Sequence, residues 1–209
     1  MTTKTFLETA NNQLLIGFTY GSKVYGTYDE LSDNDYICVV TDDFDVEDKQ
    51  QLNLEDGDIS IYHESTFLSL IEVHEISILE CLWLDSKFVI GNFFKQEEYR
   101  NHFKLNTKIL RESISGKCSN SWVKAKKKMT VEKDYNFRTA IKSLYHSIRM
   151  FDFGIQIATS GKIVDYQSTK YVWDKIKSID STDYSVFKRE FQPLYNSMHS
   201  SFVKVAPLL

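Results

Sequence analysis

Cysteine, proline and glycine are scarce in this chain: 3, 2 and 8 of 209 residues. The cysteines, Cys38, Cys81 and Cys118, are odd in number and far apart, which argues against a disulfide framework. No Cys-x-x-Cys pair suggests zinc. The three fit reduced thiols, and a cytoplasmic location is expected. So few prolines and glycines argue against long disordered linkers. No apolar run approaches the ~20 residues that span a bilayer, so no membrane partner is expected. The opening MTTKTFLETANN lacks the apolar core of a secretory signal.

The composition is that of a soluble globular protein, 42% hydrophobic and 26% charged, long enough for one or two small domains. The net charge of −4 hides an asymmetry. Residues 1–100 carry 20 acidic and 6 basic side chains, and residues 101–209 carry 9 acidic and 19 basic. An acidic metal-binding lobe and a basic lobe facing phosphates would produce this split, and so would two lobes that simply attract each other.

Periodicity supports an α+β fold: a small mixed-sheet lobe over residues 1–90, then an all-α lobe over 91–209. A helix is expected over 3–12 and strands over 13–20, 33–40 and 57–62. Between the last two lies an acidic stretch, 41–56, expected to be exposed and mobile. Its Asp42, Asp43, Asp45, Glu47 and Asp48 are expected to form a solvated face. Amphipathic helices follow over 64–74 and 76–84, with a short extended piece at 87–90. Helical spacing then dominates, over 93–113, 119–133, 136–158, 168–178 and 182–203. Pro193 should kink or restart the last of these. The aromatic residues of the tail (Tyr166, Tyr171, Trp173, Tyr184, Phe187, Phe191, Tyr195, Phe202) suit a core better than a base platform.

The stretch GFTYGSKVYGTYDELSDND, residues 17–35, carries the clearest chemistry. An apolar strand breaks at Gly21-Ser22, a turn whose backbone N–H groups can cradle phosphate oxygens. Asp33 and Asp35 follow at i and i+2, on one face of an extended strand. Adjacent carboxylates repel unless a cation lies between them, and a hard divalent ion suits oxygen ligands. The pattern points to a nucleoside triphosphate site with Mg²⁺; a surface turn capped by aspartates is the plain alternative. The strand at 57–62 can bring a third carboxylate towards the pair. Spacing alone does not separate Asp56 from Asp58.

Gly21-Ser22, Tyr25-Gly26 and Ser32-Asp33-x-Asp35 together resemble the signature of the DNA polymerase β-like nucleotidyltransferase superfamily. Within it, the chain is most similar to the nucleotidyltransferases grouped under the name of an RNA-repair pathway. Asp58-Ile-Ser-Ile-Tyr62, Phe67-Leu68 and Leu79-Glu80 resemble that group's third-aspartate strand and following helices. Lys142, Tyr145, His146 and Arg149 resemble its later K-x-x-Y-H-x-x-R pattern. The likeness runs from about Leu14 to about Phe153 and leaves the last fifty residues unmatched. It implies a catalytic lobe over 1–90 and a substrate-binding lobe over 91–209. It favours Asp58 as the third aspartate. By the same resemblance Asp33, Asp35 and Asp58 are catalytic and hold two Mg²⁺ or Mn²⁺ ions. Gly21 and Ser22 then hold the triphosphate of an NTP such as ATP.

The residues of the helical half suggest two further roles. Arg138, Lys142, Tyr145 and Arg149, spaced by 4, 3 and 4, share a helix face that could clamp a triphosphate, or could be an ordinary solvated basic face. His146 suits packing or phosphate contact better than a general base. From Lys117 to Arg149 nine basic residues stand against Glu132 and Asp134. Lys124, Lys126, Lys127 and Lys128 could hold a nucleic-acid backbone, with Trp122 stacking a base or, more commonly for tryptophan, buried. The expected reaction is transfer of a nucleoside monophosphate to a hydroxyl acceptor, an RNA 3′ end being favoured. Protein or small-molecule nucleotidylation, and a non-catalytic nucleotide-binding module, are the alternatives.

Overall fold

A mixed sheet and the helices around it form the first of two compact units, residues 1–104, and helices alone form the second, residues 105–209. The computed structural model describes residues 2–30, 32–47 and 49–208. The fold is α+β.

In the first unit the strands are β1 (Leu14–Tyr20), β2 (Asp35–Val40), β3 (Lys49–Leu54), β4 (Gly57–His63) and β5 (Val89–Gly91). Their order across the sheet is β3-β4-β2-β1-β5. The β2–β4 pair is parallel and the others are antiparallel. Alternation along β2 divides its side chains between two layers. Cys38 and Val40 join Ile59 and Ile61 against Phe6 and Ala10 of helix α1 (Thr3–Ala10), with Tyr36 at the margin. On the other face Phe18 and Tyr62 pack on Phe67 of α3 (Glu64–Glu72), whose ring also meets Tyr99 of α5 (Phe93–His102).

The acidic stretch is more ordered than its composition suggests. Phe44 and Val46 pack on the core, and Asp42 accepts bonds of 3.0 Å from the Ser65 N–H and hydroxyl at the start of α3. Asp42, Asp43, Asp45 and Glu47 are exposed, and Asp48 lies outside the described residues. β3 occupies the second half, with Leu52 and Leu54 against the core and Lys49, Gln51 and Asn53 exposed. The expected long helix at 93–113 is broken instead. Asn106 accepts from the Ile109 N–H and caps a new helix, α6 (Thr107–Thr130).

The second unit contains α6, α7 (Phe137–Ser160), α8 (Lys170–Ser178) and α9 (Tyr184–Val205). Its core is aromatic: Phe151 lies among Tyr195, His199 and Phe202, and Trp122 meets Tyr195 at 4.6 Å. Trp122 is therefore a packing residue. Phe187, Phe191 and Trp173 are buried, whereas Tyr171 is exposed. α9 continues through Pro193 without restarting. All three cysteines are buried and free. No described helix is long and apolar enough to cross a membrane.

Two glycines test this packing. A methyl on Gly116 meets nothing within 4 Å, so Gly116→Ala should stabilise by ~0.5–1 kcal/mol in urea unfolding through helix propensity. A methyl on Gly154 would lie 2.7 Å from Phe202 and 2.8 Å from Ile114. Gly154→Ala should therefore destabilise by ~1–3 kcal/mol. Equal effects would contradict the helix packing described.

Candidate active site

β1 delivers the chain to Gly21, where it turns at φ 78° into α2 (Ser22–Tyr25), a single helical turn closed by Gly26 in the left-handed conformation. The Gly21 carbonyl accepts from the N–H groups of Val24 and Tyr25, and the Ser22 carbonyl from that of Thr27. The N–H groups of Ser22 and Lys23 precede these bonds, as at any helix start. Gly21 is buried and Ser22 half-buried.

The strand register places the acidic residues. Asp35 pairs with Tyr20 across the antiparallel β1–β2 ladder and with Asp58 across the parallel β2–β4 ladder. Asp58 in turn opposes Asn53. Tyr20, Asp35, Asp58 and Asn53 thus form one row across four strands, on one face of the sheet. Neighbouring strands lie about 4.8 Å apart, so the two carboxylates start side by side.

Two glycines make this row possible. A Cβ on Gly21 would fall 2.1 Å from Asp35 Oδ2, so the carboxylate occupies the space that any side chain there would fill. A Cβ on Gly57 would fall 2.0 Å from the Asn34 carbonyl oxygen. That oxygen accepts from the Asp58 N–H at 2.8 Å, and the Asn34 side chain donates to the Asp56 carbonyl at 2.7 Å. The two strand starts are therefore fastened together beside the Gly21 turn. Ser32 shapes the approach: its hydroxyl accepts from the Asp29 N–H and donates to the Asp29 carboxylate.

The structure separates Asp56 from Asp58. Asp56 Oδ1 accepts from the Thr3 N–H at 2.7 Å and the Thr3 hydroxyl at 3.0 Å, anchoring the start of α1. Spacing leaves Asp56 and Asp58 as alternatives on one face; in the structure Asp56 serves the layer of α1 and Tyr36. Asp33 precedes β2, is exposed, and has no ladder partner to fix its direction. Among the described residues, no three His, Cys, Asp or Glu side chains are gathered closely enough to hold a metal ion. Asp35 and Asp58 are brought together, and Asp33 is not drawn in with them. As oxygen donors all three suit a hard divalent cation.

In the helical unit, the expected face of α7 is exposed only in its first half. Arg138 is half-buried, Lys142 exposed and Tyr145 buried, while Arg149 is only 2% exposed. The Tyr145 ring packs on Trp173, and its oxygen accepts from Thr169 at 3.4 Å. Arg149 Nη2 donates to His146 Nδ1 at 2.6 Å, and its guanidinium lies over the Phe153 ring. Burial, and then the Arg149 charge, hold the His146 imidazole well below its ordinary pKa and therefore neutral. On α6, Lys124, Lys126 and Lys127 are exposed, whereas Lys128 pairs with Asp134.

No sequence pattern connects Tyr25 with Glu80. Yet the Tyr25 hydroxyl donates to Glu80 Oε2 on α4 (Ile76–Leu82), and both residues are buried. Each belongs to a motif quoted above, but no periodicity links residues 55 apart.

No protein-family model and no curated protein matches the chain. Among solved structures, a nucleotidyltransferase-like protein from Exiguobacterium sibiricum aligns with 97% of this chain and 71% of its own length, at 12% identity and a TM-score of 0.28. So distant a likeness adds nothing to the geometry.

Two outcomes follow. Gly57→Ala forces a methyl into a backbone carbonyl and should destabilise the first unit by roughly 1–3 kcal/mol, read by denaturant unfolding. An unchanged midpoint would contradict the strand junction described. The Thr3 N–H and hydroxyl hold the Asp56 carboxylate below its ordinary pKa. A depressed folded pKa contributes stability above the unfolded value, and that stability is lost as pH falls through the folded pKa. Asp56→Asn should therefore reduce the acid sensitivity of α1 in pH-dependent hydrogen exchange, whereas an unaltered profile would remove Asp56 from that role.

Proposed function

We propose that this protein is a metal-dependent nucleotidyltransferase that moves a nucleoside monophosphate from an NTP to a hydroxyl acceptor and releases pyrophosphate. The observation that carries the reading is the adjacency of Asp35 and Asp58 in one sheet row, with the Gly21 turn packed against Asp35. Asp35 and Asp58 would hold Mg²⁺ or Mn²⁺ as a pair, and the exposed Asp33, two residues before Asp35, would have to turn in to complete a two-ion donor set. Bound there, the ions supply charge neutralisation at the triphosphate and lower the pKa of the acceptor hydroxyl.

The chain's own groups perform the remaining work. Gly21 leaves the backbone open to close approach by an anion, and the Ser22 hydroxyl adds a donor for the terminal phosphates. The bond from the Asp58 N–H to the Asn34 carbonyl fixes the strand start, and the parallel register sets Asp58 beside Asp35. The acceptor proposed is an RNA 3′ end. The exposed lysines of α6 support it, because phosphate contacts supply most of the sequence-independent affinity for nucleic acid.

Labelled NTPs offered with Mg²⁺ or Mn²⁺ to RNA, protein and metabolite pools should label RNA and release pyrophosphate. Asp35→Asn should abolish the label with circular dichroism unchanged, and label persisting in that variant would refute the site. Glutamate at Lys124, Lys126 and Lys127 together should weaken RNA retention and flatten its salt dependence. No change there, with label found in protein or metabolites, would replace the acceptor while leaving the transfer reaction in place.

A further inference from the structure

We propose that Glu80 is a positioning residue for the Gly21–Ser22 turn, acting through Tyr25; this role rests on the nucleotidyl-transfer reading of that site. A single turn of four residues cannot hold its own shape, because nucleating a helix fixes several dihedrals for few hydrogen bonds. At its start the turn is secured by the β1–β2 ladder. Beyond its end the chain leaves through Gly26 into an irregular segment, and the phenol of Tyr25 ties the last residue of the turn to α4.

The character of Glu80 supports this role. It is 1% exposed, and its neighbours on α4, Leu79, Cys81 and Leu82, are each 0% exposed. A carboxylate among such groups is costly unless it is hydrogen-bonded, and leucine would fill the same space without that cost. What leucine cannot do is accept a directional bond from the Tyr25 hydroxyl. Tyr25, 6% exposed, also meets the Tyr20 ring edge-on at 6.0 Å, and Tyr20 is the ladder partner of Asp35. Glu80, Tyr25, Tyr20 and Asp35 thus make a continuous line from α4 to the acidic row. A shift of Tyr25 would move the turn and its flanking strand end together.

Amide hydrogen exchange on the full chain tests the tie independently of activity. Tyr25→Phe should accelerate exchange over residues 21–27 at least tenfold while β4 exchanges as in the wild type. Glu80→Gln, whose amide oxygen can still accept from the phenol, should retain most of the protection that Glu80→Leu loses. In the transfer assay, Tyr25→Phe should raise the KM for NTP about tenfold and leave kcat within about threefold. Unchanged exchange over 21–27, or equal acceleration throughout the first unit, would overturn the positioning role. Should the wild type transfer no nucleotide, that reading falls, and the exchange data still decide whether Glu80 holds the turn.

Discussion

Asp35 and Asp58 begin neighbouring parallel strands in register, and much of the first unit bears on that adjacency. Two like charges side by side repel, so a sheet does not place them there for stability. Here the ladder imposes the arrangement. The Asp58 N–H bonds the Asn34 carbonyl, and Gly57 lets the strands approach where any side chain would collide. Gly21 does the same on the far side of Asp35. The Gly21 turn closes on the Asp35 carboxylate, and the Asn34–Asp58 bond fixes the backbone from which the Asp58 carboxylate projects.

The surrounding elements keep this junction in place. Asp56, adjacent to Gly57, pins α1 beneath the opposite face. Phe18, Tyr62, Phe67 and Tyr99 fill the layer under the acidic row. The Tyr25–Glu80 bond adds a buried polar contact to that layer, beside those of Gln96 and Tyr99. The helical unit follows a different plan, with an aromatic core around Phe151 and an exposed lysine face on α6. The charge asymmetry of the sequence corresponds to this division, with the acids concentrated in the first unit and the basic residues in the second.

Much of this was legible in the sequence where a period of two or of 3.6 ran uninterrupted. The strands holding Phe18, Val39 and Ile61 and the long α7 are of that kind. β3 escaped because its alternation, Leu52 and Leu54 among polar residues, is short and follows a run of acids. The break before α6 escaped because Asn106 caps a helix without glycine or proline to mark the stop. The placement of Asp58 beside Asp35 and of Gly21 against Asp35 agrees with the spacing and the resemblance, whereas Asp33, expected with them, stays exposed ahead of β2. The exclusion of Asp56 was not legible, because it depends on Thr3, 53 residues away. Neither was the inward turn of Tyr145 and Arg149, since a basic helix face looks the same in sequence whether it meets solvent or a core.

The proposal to be tested is that the Asp35–Asp58 row would hold a divalent cation. Mn²⁺ titration of the isotope-labelled chain tests it most directly, because a bound paramagnetic ion broadens the amide resonances around it. The account predicts broadening centred on Gly21, Asp35 and Asp58, and its loss in Asp58→Asn. Broadening confined to the exposed acids of 42–47, or unaltered in that variant, would contradict it.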